Sequence, residues 1–253
     1  MRLVVVAVLT SVGCGRVGFD ATDSGSGDGL VTDGVVDRCG IADLALYYSF
    51  DETTGSIVHD GSGNGHDGTA LATIAWVAGR RNGALRFDGA NTRVVLDSAA
   101  ELADLPAISV CAWMFSKPLT NSPFAAIVDK SLDGLDEGWN FYLRKDTGTF
   151  GLFVPTNAFE EAGSWQPQTW MYLCGTWDGS PDTGGLHLYQ DDALQPPDVV
   201  RVGGGRRTDV AHTLTVGRAA NGEYPFDGDI DELRIYRRAL SATEIAALRA
   251  CSS

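Results

Sequence analysis

From Cys39 onward, short apolar runs are separated by Gly, Asp and Asn, and the runs themselves alternate. In the most regular of them, Ile108, Val110, Ala112 and Met114 fall on one side of a period of two, and Ser109, Cys111, Trp113 and Phe115 fall on the other. Successive side chains of a strand point to opposite faces, so this run predicts a strand with two distinct faces. Similar runs predict strands at 45–50, 84–87, 92–96, 126–130, 139–144, 149–154, 170–177, 185–190, 212–216 and 230–236. Lys145, Asp146, Thr147 and Gly148 join two of these as a hairpin turn. In 230–236, period two puts Asp231, Leu233 and Ile235 on one face and Ile230, Glu232, Arg234 and Tyr236 on the other. With Leu233 and Ile235 assigned to the core, Asp231 begins an inward-facing row, where a carboxylate is costly unless a cation or several donors compensate it. Only one helix is predicted, at the C-terminus. Ser241 and Glu244 form a capping box, Leu240 and Ile245 stand where a hydrophobic staple would, and Leu248 continues the apolar face as far as Cys251. Many short strands with almost no helix favour a sandwich or jelly roll over a parallel α/β sheet.

The N-terminus has a different pattern. Arg2 precedes the apolar run Leu3 to Leu9, which is followed by small residues up to Cys14, the arrangement of a secretory signal. Ser11, Val12 and Gly13 before Cys14 resemble the lipobox of bacterial lipoproteins, in which the cysteine is lipidated and becomes the mature N-terminus. Ser11 stands where that family usually carries Leu, so cleavage by the ordinary signal peptidase is the alternative. Five aspartates at 20, 23, 28, 33 and 37 lie among glycines and serines with little to bury, which predicts a self-repelling tether. The expected organisation is a lipoprotein-type signal peptide at 1–13, a flexible acidic Gly/Ser/Asp linker at 14–37 and one folded domain at 38–253. The protein is expected to be exported, and either lipid-anchored in the bacterial cell envelope or secreted. No apolar stretch reaches the ~20 residues that span a bilayer, so membrane contact is expected only through the lipid anchor.

Composition narrows the partners. A formal net charge of −14 repels nucleic acid and anionic lipid surfaces and excludes both as ligands. The same carboxylates suit divalent cations or basic partners, and also plain solubility. With 44% apolar residues among 253, the chain can bury a core of single-domain size.

Six segments, in this order, resemble the laminin-G-like, concanavalin A-like jelly rolls of bacterial surface proteins. They are 44–51 (LALYYSFD), 60–68 (DGSGNGHDG), 83–89 (GALRFDG), 108–114 (ISVCAWM), 170–179 (WMYLCGTWDG) and 226–245 (FDGDIDELRIYRRALSATEI). The resemblance implies an all-β fold, a two-sheet antiparallel jelly-roll sandwich with one short C-terminal helix. It implies little about ligand, since the family includes sugar binders, protein adhesion modules and accessory domains of hydrolases. Apart from Cys14, four cysteines remain, an even number expected to pair in an oxidising compartment, with three possible connectivities. Cys39 with Cys251 is favoured because they bracket the domain, and Cys111 with Cys174 because the resemblance places their strands near each other. Similar domains often carry calcium near two of these segments. The expectation is therefore a structural Ca2+ held by Asp60, Asn64 and carbonyls of the Gly-rich loop, with Asp231 completing it; the competing reading is a turn whose Asp and Asn side chains bond their own backbone.

Catalytic signatures are weak. Related sandwich glucanases carry on one strand a Glu, any residue, an Asp, then a Glu two or three positions later, but after Asp229 and Asp231 those places hold Leu233 or Arg234, and Glu232 falls on the opposite face from Asp231. His59, His66, His187 and His212 show no metal spacing and no nucleophile elbow. Sugar rings stack on aromatic faces, and Trp165 and Tyr224, in predicted loops, are the candidate ligand-binding residues. The sequence reading is a non-catalytic cell-envelope binding module for extracellular carbohydrate (a polysaccharide) or a protein partner. Its rivals are a hydrolase or lyase with an unrecognised carboxylate site, and a purely structural envelope protein.

Overall fold

The alternating run at 108–115 forms a strand, Ile108–Ser116, whose two faces serve two different layers. Ile108, Val110, Ala112 and Met114 enter the main core, while Cys111 and Trp113 enter a second apolar cluster on the back of the same sheet. The computed structural model describes residues 38–253 apart from 97–99, 119–121, 132–136, 157, 182 and 205–207. The signal segment, Cys14 and the linker lie outside the described residues.

The first strands are β1 (Leu44–Tyr48), β2 (Ile57–Val58), β3 (Gly68–Leu71), β4 (Ala75–Ala78), β5 (Gly83–Asp88), β6 (Arg93–Leu96), β7 (Ile108–Ser116), β8 (Phe124–Ser131) and β9 (Gly138–Arg144). After them come β10 (Phe150–Phe153), β11 (Phe159–Ala162), β12 (Trp170–Trp177), β13 (Leu186–Gln190), β14 (Ala193–Leu194), β15 (Pro197–Arg201), β16 (Leu214–Val216), β17 (Asp227–Tyr236) and the helix α1 (Ala242–Cys251). An eight-stranded sheet runs β14–β13–β12–β7–β17–β5–β4, with β1 also paired to β17. A nine-stranded sheet runs β15–β11–β10–β9–β8–β16–β6–β3–β2. The paired strands are antiparallel. This is the expected all-β, two-sheet antiparallel sandwich with one C-terminal helix.

Between the sheets lie large side chains such as Trp139, Trp177, Phe87, Phe141 and Phe150, almost wholly buried. Each contributes about 1.5–3 kcal/mol by leaving water. At the predicted hairpin, Arg144 N donates to Thr149 O, and Gly148 turns the chain at φ 72° with open space where a Cβ would stand. Such a φ favours glycine.

The back of the eight-stranded sheet is covered by the first and last parts of the described residues. Ile245 and Leu248 of α1 pack with Ile41, Leu44, Trp113, Tyr172 and Tyr236. Ser241 caps the helix, its side chain accepting from Glu244 N while Glu244 reaches back to the backbone of Ser241. Cys39 is bonded to Cys251 across 212 residues, and Cys111 to Cys174, which stand directly opposite each other on β7 and β12. Beneath the helix, Glu232 and Arg234 are fully buried as an ion pair of 2.7 Å. Glu232 also accepts from Tyr47 Oη at 2.9 Å and from Arg38, and Arg234 donates to Ser252 Oγ.

Asp231 takes a different face from the one strict alternation predicts. A bulge between Asp231 and Arg234, with Glu232 at φ 54°, interrupts the alternation of β17. Ile230, Leu233 and Ile235 all reach the core, while Asp231 pairs with Trp113, a residue of the outer cluster. Asp231 therefore does not begin an inward row, because the extra residue of a bulge moves the later positions of the strand to the other face.

Candidate functional site

The alternation that builds the core also leaves a set of polar side chains on the outer face of the nine-stranded sheet. In β9, Trp139, Phe141 and Leu143 point inward, leaving Asn140, Tyr142 and Arg144 outside. In β16, Leu214 and Val216 are core, and Thr215 faces outward opposite Asp129 of β8. A groove of about 370 Å³ opens here, lined by Arg93 and Val95 of β6, Ser131 of β8, and His212, Thr215 and Asn221 from β16 and its flanking loops.

Asp129, next to Ser131 and opposite Thr215, is fully buried. It accepts from Ser131 N and Oγ (3.2 and 2.9 Å), from Ala220 N (3.2 Å) and from Asn140 Nδ2. Burial pushes its carboxyl above the ordinary range in spite of these bonds. Asn140 Oδ1 and His212 Nδ1 are buried without a hydrogen-bond partner among the described residues. His212 Nε2 lies 3.8 Å from Glu137 Oε2.

Aromatic rings continue the face. Phe124 packs edge-on against Tyr142 at 5.6 Å and against Tyr224 at 5.5 Å, and the Arg144 guanidinium lies 5.5 Å from the Phe124 ring. Tyr142 Oη donates to Glu161, which also receives Arg144 Nη1 at 2.9 Å. Burial, then the Glu161 charge, hold the Tyr142 phenol well above its usual range, so it stays a neutral donor. Tyr224 sits at φ 53°, half-buried, on the loop that also carries Asn221 to the groove. Backbone in that region costs energy for a non-glycine residue and recurs at ligand sites.

The residues singled out by sequence are distributed unevenly over this site. Tyr224 is not among the groove's lining residues; three residues beyond Asn221, it accepts from Ala126 N through its carbonyl and packs its ring on Phe124. Trp165 is 8% exposed, joins the core and donates Nε1 to Arg144 O, so its ring is closed to a ligand. Asp60 bridges to β1, where its Oδ1 accepts from Tyr47 N and Ser62 N, and its Oδ2 from Ser62 Oγ and His66 N. Asn64 turns its Nδ2 to Leu44 O and Ala45 O. Asp231 stands on β17, the strand paired with β1, on the outer face of the eight-stranded sheet, and accepts from Arg81 N at 2.8 Å. Among the described residues, no group of three or more His, Cys, Asp or Glu is arranged to hold a metal. Asp229 is neutralised by Arg86 at 2.7 Å. Asp129 and Asn140, beside the groove, escaped sequence reading, where the available signal was an Asp and an Asn in the middle of apolar strands; His212, in its lining, was noted there only as lacking metal spacing.

The family Laminin_G_3, the Concanavalin A-like lectin/glucanases superfamily, matches residues 87–246. No curated protein matches the chain. Among solved structures, domain 4 of AbnA, a GH43 extracellular arabinanase from Geobacillus stearothermophilus in complex with arabinotriose, is 22% identical with a TM-score of 0.58, covering 82% of this chain and 98% of that one. Trypanosoma rangeli sialidase is 16% identical with a TM-score of 0.60, covering 82% of this chain and 32% of its own. The binding domain of Botulinum neurotoxin DC, in complex with rat synaptotagmin II, is 13% identical with a TM-score of 0.61, covering 83% of this chain and 52% of that one. The chain thus spans a third of the sialidase and half of the neurotoxin domain, and at these identities the likeness is one of fold. With a family match over more than half its length and the two-sheet sandwich to go with it, the chain belongs to the concanavalin A-like lectin/glucanases superfamily.

Proposed function

We propose that this chain is a non-catalytic binding module of the cell envelope, held there by lipidation at Cys14, that takes extracellular polysaccharide in the groove on the nine-stranded sheet. The observation that carries the reading is the composition of that groove. Hydroxyls of Ser131 and Thr215, the guanidinium of Arg93 and the amide of Asn221 line it, and the buried Asn140 Oδ1 and His212 Nδ1 lack partners among the described residues. A polyol supplies donors and acceptors for such groups, and a longer glycan reaching past Asn221 would stack the apolar face of a sugar ring on the half-buried Tyr224 of the same loop. Asp129 beside the groove is committed to protein donors, and the hydroxyls, amide and guanidinium of the lining support binding as the first reading. The AbnA domain solved with arabinotriose is support by analogy of fold.

The test is affinity electrophoresis of the purified protein through gels that each contain one polysaccharide, arabinan among them. Retardation by at least one is expected, and Tyr224→Ala should weaken it about three- to tenfold, the worth of one stacking contact. Free migration in every gel, or retardation indifferent to both Tyr224→Ala and Asn221→Ala, would overturn the reading.

A further inference from the structure

At the opposite edge of the nine-stranded sheet, β11 carries two glutamates with opposite fates. Glu161 faces outward, where Tyr142 and Arg144 satisfy it. Glu160 lies across from Leu152, a core residue, and so points between the sheets. It is 4% exposed. Burial shifts its carboxyl up to about 7, with no hydrogen bond or charge acting on it from the described residues.

Glu160 faces a cavity of about 510 Å³ whose walls are mainly apolar: Leu186, Leu194, Pro196, Pro197 and Val200, with His187 and Gln195 at its polar margin. Leu194 and Val200 at its mouth are 56% and 46% exposed. The edge strands β14 and β15 supply these residues, so the opening lies at an edge of the sandwich that no other layer among the described residues closes. A buried carboxyl without a partner costs free energy that an incoming cation would recover, and an apolar wall offers nothing to that cation's counter-surface except a hydrocarbon chain.

We propose that this cavity is a second binding site, for an aliphatic ammonium group, with the hydrocarbon chain against Leu186, Leu194, Pro197 and Val200 and the ammonium on the Glu160 carboxylate. The same chemistry is offered by a free alkylamine and by a lysine side chain of a protein partner. The site is independent of the polysaccharide groove, being built from different strands.

The experiment is a methyl-detected NMR titration of the full protein at pH 8 with hexylammonium, with hexanol as the uncharged control. Hexylammonium should shift the methyl signals of Leu186 and Leu194 saturably and bind about tenfold or more tighter than hexanol, the worth of one charge-assisted hydrogen bond. Glu160→Gln should remove that preference, and Leu194→Ser should weaken both ligands, while polysaccharide retention by either variant stays unchanged. Competition by Nα-acetyl-lysine amide would assign the site to a lysine side chain, and hexylammonium binding without competition to a free amine. Equal affinity for hexanol and hexylammonium, a preference that survives Glu160→Gln, or no methyl shifts would overturn the proposal.

Discussion

At the scale of single residues, Asp231 is a strongly perturbed group outside the groove. It is fully buried, its Oδ1 has no partner, and desolvation pushes its carboxyl up to about 8 in spite of the bond from Arg81 N. An unfolded aspartate titrates near ~3.9, so the folded value is raised and the folded state binds the extra proton. The stability this gives is complete below about pH 4 and is lost as pH rises through about 8. Melting temperature should therefore fall across this window more steeply for the wild type than for Asp231→Asn, which cannot ionise; parallel curves would contradict the burial argument. Asp60 leads to a different expectation. All four of its acceptor positions are taken by protein donors, so a cation would have to displace them. Exchanging 1 mM calcium for chelator should leave the melting temperature within about 1 °C, whereas a site of extracellular affinity would shift it by about 3–6 °C.

At the scale of elements, period two was readable wherever a strand is apolar on at least one face without interruption. It predicted β7, β9 and β12 closely, and the capping box at Ser241 located α1 within a residue or so. Removing that cap with Ser241→Ala should cost about 1 kcal/mol, a fall of about 2–4 °C in melting temperature for a domain of this size; an unchanged melting curve would mean the disulfide at Cys251 alone holds the helix. Reading failed where local composition and tertiary role conflict. β11 has Glu160 and Glu161 at its centre, and β15 opens on Pro197 and is largely exposed, so neither resembles a strand in isolation. The bulge in β17 leaves no mark on the sequence, and it decides which face Asp231 takes. The groove was illegible for a further reason. Asp129, Asn140 and Thr215 become neighbours only through the pairings of β8 with β9 and β16, and strand order cannot be read from any one strand. Trp165 illustrates the converse: a loop address says little about exposure when the indole N–H finds a backbone carbonyl in the interior.

At the scale of the whole molecule, the two ends of the domain are joined on the back of one sheet, leaving the groove on the other. The Cys39–Cys251 bond closes a loop of 212 residues, which the chain-entropy model values at about 5 kcal/mol. Two disulfides are the chemistry of an oxidising compartment and agree with export. Replacing Cys39 and Cys251 together by Ser should lower the melting temperature by more than 10 °C, roughly what that loss implies for ~200 residues, and non-reducing peptide mapping of the native protein should recover both pairs. The central claim is that a polysaccharide occupies the groove of the nine-stranded sheet. Its most direct test is a backbone-amide NMR titration with an oligosaccharide cut from whichever polysaccharide retards the protein. Shifts clustered at Arg93, Ser131, His212, Thr215, Asn221 and Tyr224 are predicted; shifts confined to α1, β7 and β12 on the opposite sheet, with the groove unmoved, would contradict it.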